Sequence, residues 1–372
     1  MTGRHVSTGG RGALRGSSLG VALVLTGCVI PRGMATVEAP SGCRLLPSGE
    51  PSIAWYGPTE ARDAEQVQAW CETVAPPLLR LGPSASTPGW TPGDTLTVMS
   101  WNMNIGGGDL LALLGDELGW DCAAAGPAST SDFSPFVLLL QETYRRAPEL
   151  EPVEPGPRVP RLIEPDPRPG ADLDIGQAAE RCGLAHLYVP SARNGPDPAG
   201  RIPEDKGNAI LSSVPLDEPF AVELPFEAGR KVAVGAIVRA PHGEPVQVVS
   251  LHLDVASTLY RTLVTGNGTR LRQVSGLTDV LDARAPLATV VGGDFNTWSV
   301  HEGALRHMQS HFSSVPLDAS GTRGGMPADH IFFRSPGAAR VRVVSGSYRV
   351  LEDEYLSDHR ARALRLAVAG GT

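Results

Sequence analysis

The stretch that most constrains this chain is Ala288-Thr289-Val290-Val291-Gly292-Gly293-Asp294-Phe295-Asn296-Thr297. Its apolar, β-branched run is that of a buried strand. Two glycines end the run, and they tolerate tight turning and close backbone approach. A carboxylate and a carboxamide follow two residues apart, which puts both side chains on one side of an extended chain. Asp294 and Asn296 then face one place at the open end of a core strand. An Asx-rich turn closing the strand would use the same residues, so the rest of the chain has to decide between chemistry and a turn.

The pattern recurs. Residues 95–102 alternate as a strand and end on Asn102, followed by three glycines and a helix over about 109–118 with a leucine face. Residues 136–140 are continuously apolar and run into Gln141-Glu142. Residues 207–212, 232–238 and 246–251 read as strands, with His242-Gly243 at the turn between the last two and His252 directly after. Asp329 opens a strand over 329–333, residues 341–344 form another, and Ser357-Asp358-His359-Arg360 precede the last, over 363–368.

Between these lie helical segments. One spans about 60–81, interrupted by Pro76-Pro77. Others start at Asp174 with Gln177 in capping-box spacing, cover 269–285, and follow a capping box of Ser299 and Glu302. Residues 188–205 read as polar loop, 148–169 as a proline-crowded surface excursion, and 82–93 as a linker. The chain thus divides into an N-terminal segment, a small extension ending at residue 93, and one large body over 94–369.

Asn102, Glu142, His252, Asp294 and Asn296 each follow an apolar strand, Asp329 starts one, and Asp358-His359 precedes one. Strand ends converge on one rim of a sheet, where polar groups are usually functional. Each residue alone has a plainer reading. Asn102 would cap a helix, Glu142 would pair with Arg145 or Arg146, His252 would be a core histidine, and Asp358 would sit in a turn. The ordered set is what favours chemistry.

A net charge of −8 leaves no global basic field. A long polyanion would need a local basic patch or metal ions. Arg4, Arg11 and Arg15 precede a short apolar run over 19–25, and no acid occurs before Glu38, the signature of a secretory signal. That run is too short to span a bilayer. It ends Leu25-Thr26-Gly27-Cys28, which resembles the bacterial lipoprotein box and implies a signal over 1–27 with a lipid on Cys28. A plain secretory signal is the alternative. Export makes disulfides the expectation for Cys43, Cys71, Cys122 and Cys182. Pairing Cys43 with Cys71 and Cys122 with Cys182 keeps each bridge within one region; buried free thiols are the alternative.

The set Ser100-Trp101-Asn102, Gln141-Glu142, Gly207-Asn208-Ala209-Ile210-Leu211-Ser212, Ser250-Leu251-His252, Gly292-Gly293-Asp294-Phe295-Asn296, Asp329-His330-Ile331 and Ser357-Asp358-His359 resembles the endonuclease/exonuclease/phosphatase superfamily over about residues 94–369. That superfamily includes deoxyribonuclease I, abasic-site endonucleases, neutral sphingomyelinases and inositol polyphosphate 5-phosphatases. The resemblance implies a four-layer α/β sandwich, with two mixed β-sheets face to face and helices outside. It implies hydrolysis of a phosphate ester by water with a divalent metal, usually Mg²⁺, with Mn²⁺ or Ca²⁺ as alternatives. By the same resemblance Glu142 is the main metal ligand, helped by Asn102, with Asp358 near the metal. Asp294 orients or deprotonates the water, and Asn296 holds that carboxylate or a phosphate oxygen. His252 and His359 bind phosphoryl oxygens, and Asp329 orients His359. Deoxyribonuclease-like members give the counterpart of His252 an acidic partner. Glu204 and Asp205 lie in that region without a matching motif, which leaves the leaving-group acid open. Arg193, Lys206, Arg230 and Lys231 are candidate phosphate contacts, with solvated surface charge as the alternative. The expected substrate is a nucleic acid, or else a phospholipid or inositol phosphate at a membrane reached through Cys28, and no obligate protein partner is evident. A non-catalytic surface lipoprotein using the same fold for binding is the competing function.

Overall fold

The computed structural model describes residues 33–38, 40–46, 52–83, 90–91, 93–129, 133–152, 173–194, 202–255, 267–337 and 340–368. The signal segment, Cys28 and most of the 148–169 excursion lie outside them. In chain order the elements are β1 (Met34–Thr36), β2 (Ala54–Pro58), α1 (Ala61–Cys71), β3 (Leu78–Arg80), β4 (Thr95–Asn102) and α2 (Leu110–Leu118). Then come β5 (Trp120–Asp121), β6 (Gly126–Pro127), β7 (Phe136–Arg146), α3 (Ile175–Arg181), β8 (Ala185–Arg193), β9 (Glu204–Ser212), β10 (Asp217–Glu223) and β11 (Val232–Arg239). The rest are β12 (Pro245–His252), α4 (Asn267–Ala283), β13 (Ala288–Asp294), α5 (Gly303–His311), β14 (Asp329–Arg334), β15 (Val341–Val343), β16 (Arg349–Val350) and β17 (Arg362–Val368).

The strands make two mixed sheets, one ordered β1-β2-β10-β11-β12-β13-β14 and the other β15-β17-β4-β7-β9-β8-β3, with β16 beside β17. Alternating side chains explain the layers. Leu96, Val98, Val137 and Leu139 of one sheet meet Val234, Val248 and Val290 of the other in a dry core between them. The opposite faces bury Met99, Trp101 and Leu138 under α2 and α3, and Val249, Val291 and Phe332 under α4 and α5. The result is a four-layer α/β sandwich.

β4 with β7 and β12 with β13 are parallel pairs, each joined through a helical crossover, and β2 runs parallel to β10 near the edge of the first sheet. Gly292 sits where the sheets come closest: a Cβ there would lie 2.8 Å from Leu139 Cδ1 and 2.9 Å from Ser100 Cβ. At Gly293 a Cβ would be 1.8 Å from the Leu251 carbonyl oxygen, inside van der Waals contact. The two glycines therefore let β13 approach both its neighbour and the facing sheet. Gln141 crosses the same gap, donating from Nε2 to Ser250 Oγ at 3.0 Å, and Ser250 donates on to the Leu140 carbonyl at 2.9 Å.

Three expectations need correction. Residues 33–81 are not a separate extension: β1 and β2 lengthen one sheet through β10, and β3 closes the edge of the other against β8. The described residues all fall in one compact unit. The stretch expected as polar loop contains most of β8, whose Pro190 is tolerated because the β8–β9 register shifts between Pro190 and Ala192. Ser299 does not cap α5; Glu302 is the N-cap and makes no side-chain cap bond, its carboxylate instead accepting from Trp298 N at 2.8 Å and from Arg270. The Asp174–Gln177 capping box is present.

The bridges are Cys43–Cys71 and Cys122–Cys182. The second closes a separation of 60 residues, and in the chain-entropy picture such a loop stabilises the fold by about 4 kcal/mol.

Candidate functional site

Strand register assembles the site. His252 ends β12 and is the direct neighbour of Asp294 at the end of β13, which is in turn the neighbour of Asp329 at the start of β14. In the facing sheet Asn102 ends β4 opposite Gln141 of β7. The two rows meet where Asn102 Nδ2 donates to Asp294 Oδ2 at 2.9 Å. Residues separated by 192 positions thus share a hydrogen bond.

Glu142 is aimed into this cleft by a bulge. The β7–β9 register shifts between Leu140 and Thr143, and Glu142 sits at φ +51°. That left-handed conformation costs about 1 kcal/mol or more for a residue with a Cβ. Bulges next to functional sites re-aim a side chain in this way. Glu142 Oε1 lies 3.9 Å from His252 Nε2, which lies 3.7 Å from Asp294 Oδ2. Asn296 also has positive φ, +52°. Its N–H donates to Asp294 Oδ1 at 2.7 Å and its Nδ2 to the Leu253 carbonyl at 2.9 Å. It holds the Asp294 carboxylate through its backbone and ties the loops after β12 and β13 together.

His359 comes from the loop before β17. Its Nδ1 is 2.7 Å from Asp329 Oδ2, and its Nε2 is 3.9 Å from Asp294 and 3.7 Å from Asp358. Ser357 fixes the approach, donating to the Asn102 carbonyl and accepting from His359 N. Burial alone would lower the His359 pKa, but the Asp329, Asp294 and Asp358 carboxylates raise it to about 9. His252 goes the other way: burial, then the charges of Lys231 and Lys206, hold it well below the usual histidine value. Burial and the neighbouring Asp329 charge lift Asp294 to about 6. The site therefore holds one cationic and one neutral imidazole around a weakly acidic carboxylate.

Because the folded-state pKa of His359 exceeds its unfolded value, its pair with Asp329 stabilises the fold fully below about pH 6.5 and is lost as pH rises through about 9. The difference corresponds to about 3 kcal/mol. Thermal unfolding in chelator at pH 7 and pH 10 is expected to show this alkaline loss, and Asp329→Asn is expected to flatten it. Equal pH dependence in the two proteins would refute the pairing as its source.

The donor set suits a hard cation. Asp294, Asp329 and His359 each bring one ligand atom within 4.8 Å of the others. Among the described residues Asp329 Oδ1 is buried without a hydrogen-bond partner. His359 Nδ1 and Asp329 Oδ2 already bond each other, however, and all three residues are sealed from solvent. Mg²⁺ keeps several waters. Glu142, with a side chain 22% exposed, fits that requirement better; Asn102 beside it is 1% exposed, and its Oδ1 accepts from Asn104 N at 2.9 Å. Asp358 stands at the rim, 39% exposed, and pairs with Arg323 at 2.8 Å.

Two of the expected phosphate contacts are engaged elsewhere. Arg230 is buried, donating to Glu223 through Nε and Nη2 and to the Pro190 carbonyl. Arg193 is buried against the Thr73 and Glu151 carbonyls. Lys206 and Lys231 are near enough to His252 to depress its pKa. Neither Glu204 nor Asp205 serves His252: Asp205 is buried with Arg145, Tyr188 and the Ala75 N–H, and Glu204 accepts from Asn194. Gln141 reads from the sequence only as part of the Gln141-Glu142 motif, without a role of its own, and Arg323 is not singled out there. Gln141 had a visible signal, the residue before Glu142 at a strand end, whereas Arg323 lies in an irregular loop with none.

A model of the endonuclease/exonuclease/phosphatase family matches residues 99–359. No curated protein matches the chain. Among solved structures, an endonuclease/exonuclease/phosphatase from Beutenbergia cavernae is 20% identical, with 74% of this chain and 72% of that one covered and a TM-score of 0.48. The human Nocturnin catalytic domain with bound sulfate is 17% identical (74% and 95% covered, TM-score 0.44). Sphingomyelinase C from Streptomyces griseocarneus is also 17% identical (73% and 99% covered, TM-score 0.41).

Proposed function

The chain belongs to the endonuclease/exonuclease/phosphatase family, and from that premise we propose that it is a divalent-metal-dependent phosphoesterase that hydrolyses a phosphodiester with water. The observation that carries this reading is the run Glu142–His252–Asp294–His359, drawn from both sheets with each step no longer than 3.9 Å.

Glu142 would hold the cation, with Asn102 and Asp358 beside it. A bound Mg²⁺ neutralises charge that develops on the phosphoryl oxygens. Asp294 accepts the proton of the attacking water at Oδ2. Its pKa of about 6 makes it a stronger base than an ordinary carboxylate while leaving it ionised at neutral pH. The Asn102 amide and the Asn296 N–H keep its orientation. His359, cationic and braced by Asp329, binds a phosphoryl oxygen. His252 is a neutral hydrogen-bond partner to that same group.

The N-terminal segment is read as a lipoprotein signal with Cys28 the lipidated residue, which makes the protein exported and membrane-anchored. Burial of Arg193 and Arg230 removes two of the cations that would hold a polynucleotide. The remaining Lys206, Lys231 and Arg323, on a chain of net charge −8, suit recognition of one phosphate group better than tracking of a long strand.

The test is hydrolysis of plasmid DNA, RNA, sphingomyelin and inositol phosphates with Mg²⁺ and with EDTA. Turnover of at least one substrate, lost in EDTA and restored by excess Mg²⁺ or Mn²⁺, is the expected result. Turnover indifferent to chelation, or none on any phosphoester, overturns the reading.

A further inference from the structure

Five large apolar side chains stand out as exposed among the described residues: Leu45, Ile202, Val255, Trp298 and Leu356. Four of them belong to one end of the sandwich. Val255 is three residues beyond His252, and Trp298 is two beyond Asn296. Leu356 immediately precedes the Ser357 that binds the Asn102 carbonyl. Ile202 precedes β9, whose first residue Glu204 pairs with Arg146 at the far end of β7, past Glu142. The cations Lys206, Lys231 and Arg323 all act on His252 and so belong to this end as well. Exposed apolar side chains and these cations stand at this end beside the carboxylates of the cleft and the exposed Glu352, Asp353 and Glu354, and it is the grouping of the apolar side chains that suits a lipid interface.

Topology supplies an independent observation. Met34, at the start of β1, pairs with Pro58 at the end of β2. β2 runs parallel to β10, β10 antiparallel to β11, and β11 antiparallel to β12. Following those directions, the chain enters β1 at the same end at which β12 delivers His252. Cys28 precedes the first described residue, Gly33, by five positions, a reach of at most about 18 Å in extended chain. An acyl anchor on Cys28 would hold this end, not the opposite one, toward the bilayer. No helix among the described residues is long and apolar enough to cross a membrane, so the contact is peripheral.

We infer that the catalytic end of the sandwich docks on a lipid bilayer through Ile202, Val255, Trp298 and Leu356, and that the phosphodiester it takes is the head group of a lipid in that surface. The substrate class rests on the phosphoesterase reading; the docking does not. Apolar side chains on four separate loops at this end would bring a head group to Asp294 without lifting the lipid from the membrane.

The experiment uses the full chain carrying Cys28→Ser, so that no anchor contributes. It measures co-sedimentation with phosphatidylcholine vesicles and with 3:1 phosphatidylcholine/phosphatidylglycerol vesicles. Binding is expected, with a blue shift of tryptophan emission that Trp298→Phe removes. The pair Ile202→Ser and Leu356→Ser is expected to weaken partitioning at least about tenfold, as loss of two inserted aliphatic side chains requires. Its unfolding temperature and its hydrolysis of soluble bis(p-nitrophenyl) phosphate should remain as before. Absence of binding to both vesicles, or binding undiminished by the pair, overturns the docking. Hydrolysis of the soluble diester without vesicle binding sinks the docking alone, whereas vesicle binding with no hydrolysis of any diester sinks the phosphoesterase reading alone.

Discussion

Replacing Asp294 with asparagine is expected to lower turnover by about 10²–10⁴-fold, the usual contribution of a positioned base, without unfolding the protein. The substitution keeps the shape and one acceptor of the carboxylate. One of the two donors, Asn102 Nδ2 or the Asn296 N–H, loses its partner, at about 1 kcal/mol. Against that stands relief of a buried charge. A carboxyl whose folded pKa is raised to about 6 from 3.8 costs stability wherever it is ionised: nothing below about pH 3.8, the full amount above about pH 6. The full amount is about 3 kcal/mol at pH 7. Asp294→Asn should therefore unfold at an equal or higher temperature than the parent at neutral pH, measured in chelator, while losing activity. A variant within about threefold of parental turnover would remove Asp294 from the role of base. A variant that melts well below the parent would mark Asp294 as structural.

Glu223→Ala is expected to destabilise the fold by about 3–5 kcal/mol, the range for leaving buried charge without its partner. Glu223 ends β10 and is 1% exposed. Arg230 donates to its Oε1 at 2.8 Å and Arg44 to its Oε2 at 2.6 Å. Removing the carboxylate leaves two guanidinium groups out of water with no counter-ion. Arg44 belongs to the segment before α1 and Arg230 to the β10–β11 turn, so the loss should also loosen the edge formed by β1 and β2. Denaturant unfolding at neutral pH measures it. A loss below about 1 kcal/mol, typical of a solvent-screened pair, would contradict the description of this cluster as buried and carboxylate-dependent.

Much of this protein could be read along the chain. The strand over 288–294, the helix opened by Asp174, and the polar residues that close β4, β12 and β13 are local signals carried by periodicity and capping chemistry. What failed failed for non-local reasons. β8 carries a proline and polar residues, and only its place between β9 and β3 makes it a strand. Residues 33–81 look detachable because edge strands are short and mixed in character, yet β10 and β8 were waiting for partners. Arg193 and Arg230 look like surface cations until carbonyls and Glu223 close around them.

By itself the sequence determined which segments are strands with chemical ends, the order of those ends, and a cysteine spacing compatible with two local bridges, because side-chain alternation and caps act over a few residues. Only the tertiary structure decided the register that sets His252, Asp294 and Asp329 in one row, the sheet gap closed by Asn102 and Gly292, and which cations remain at the cleft. Those depend on which distant backbone and which counter-charge a residue meets, and that is a property of packing, not of neighbours in the chain.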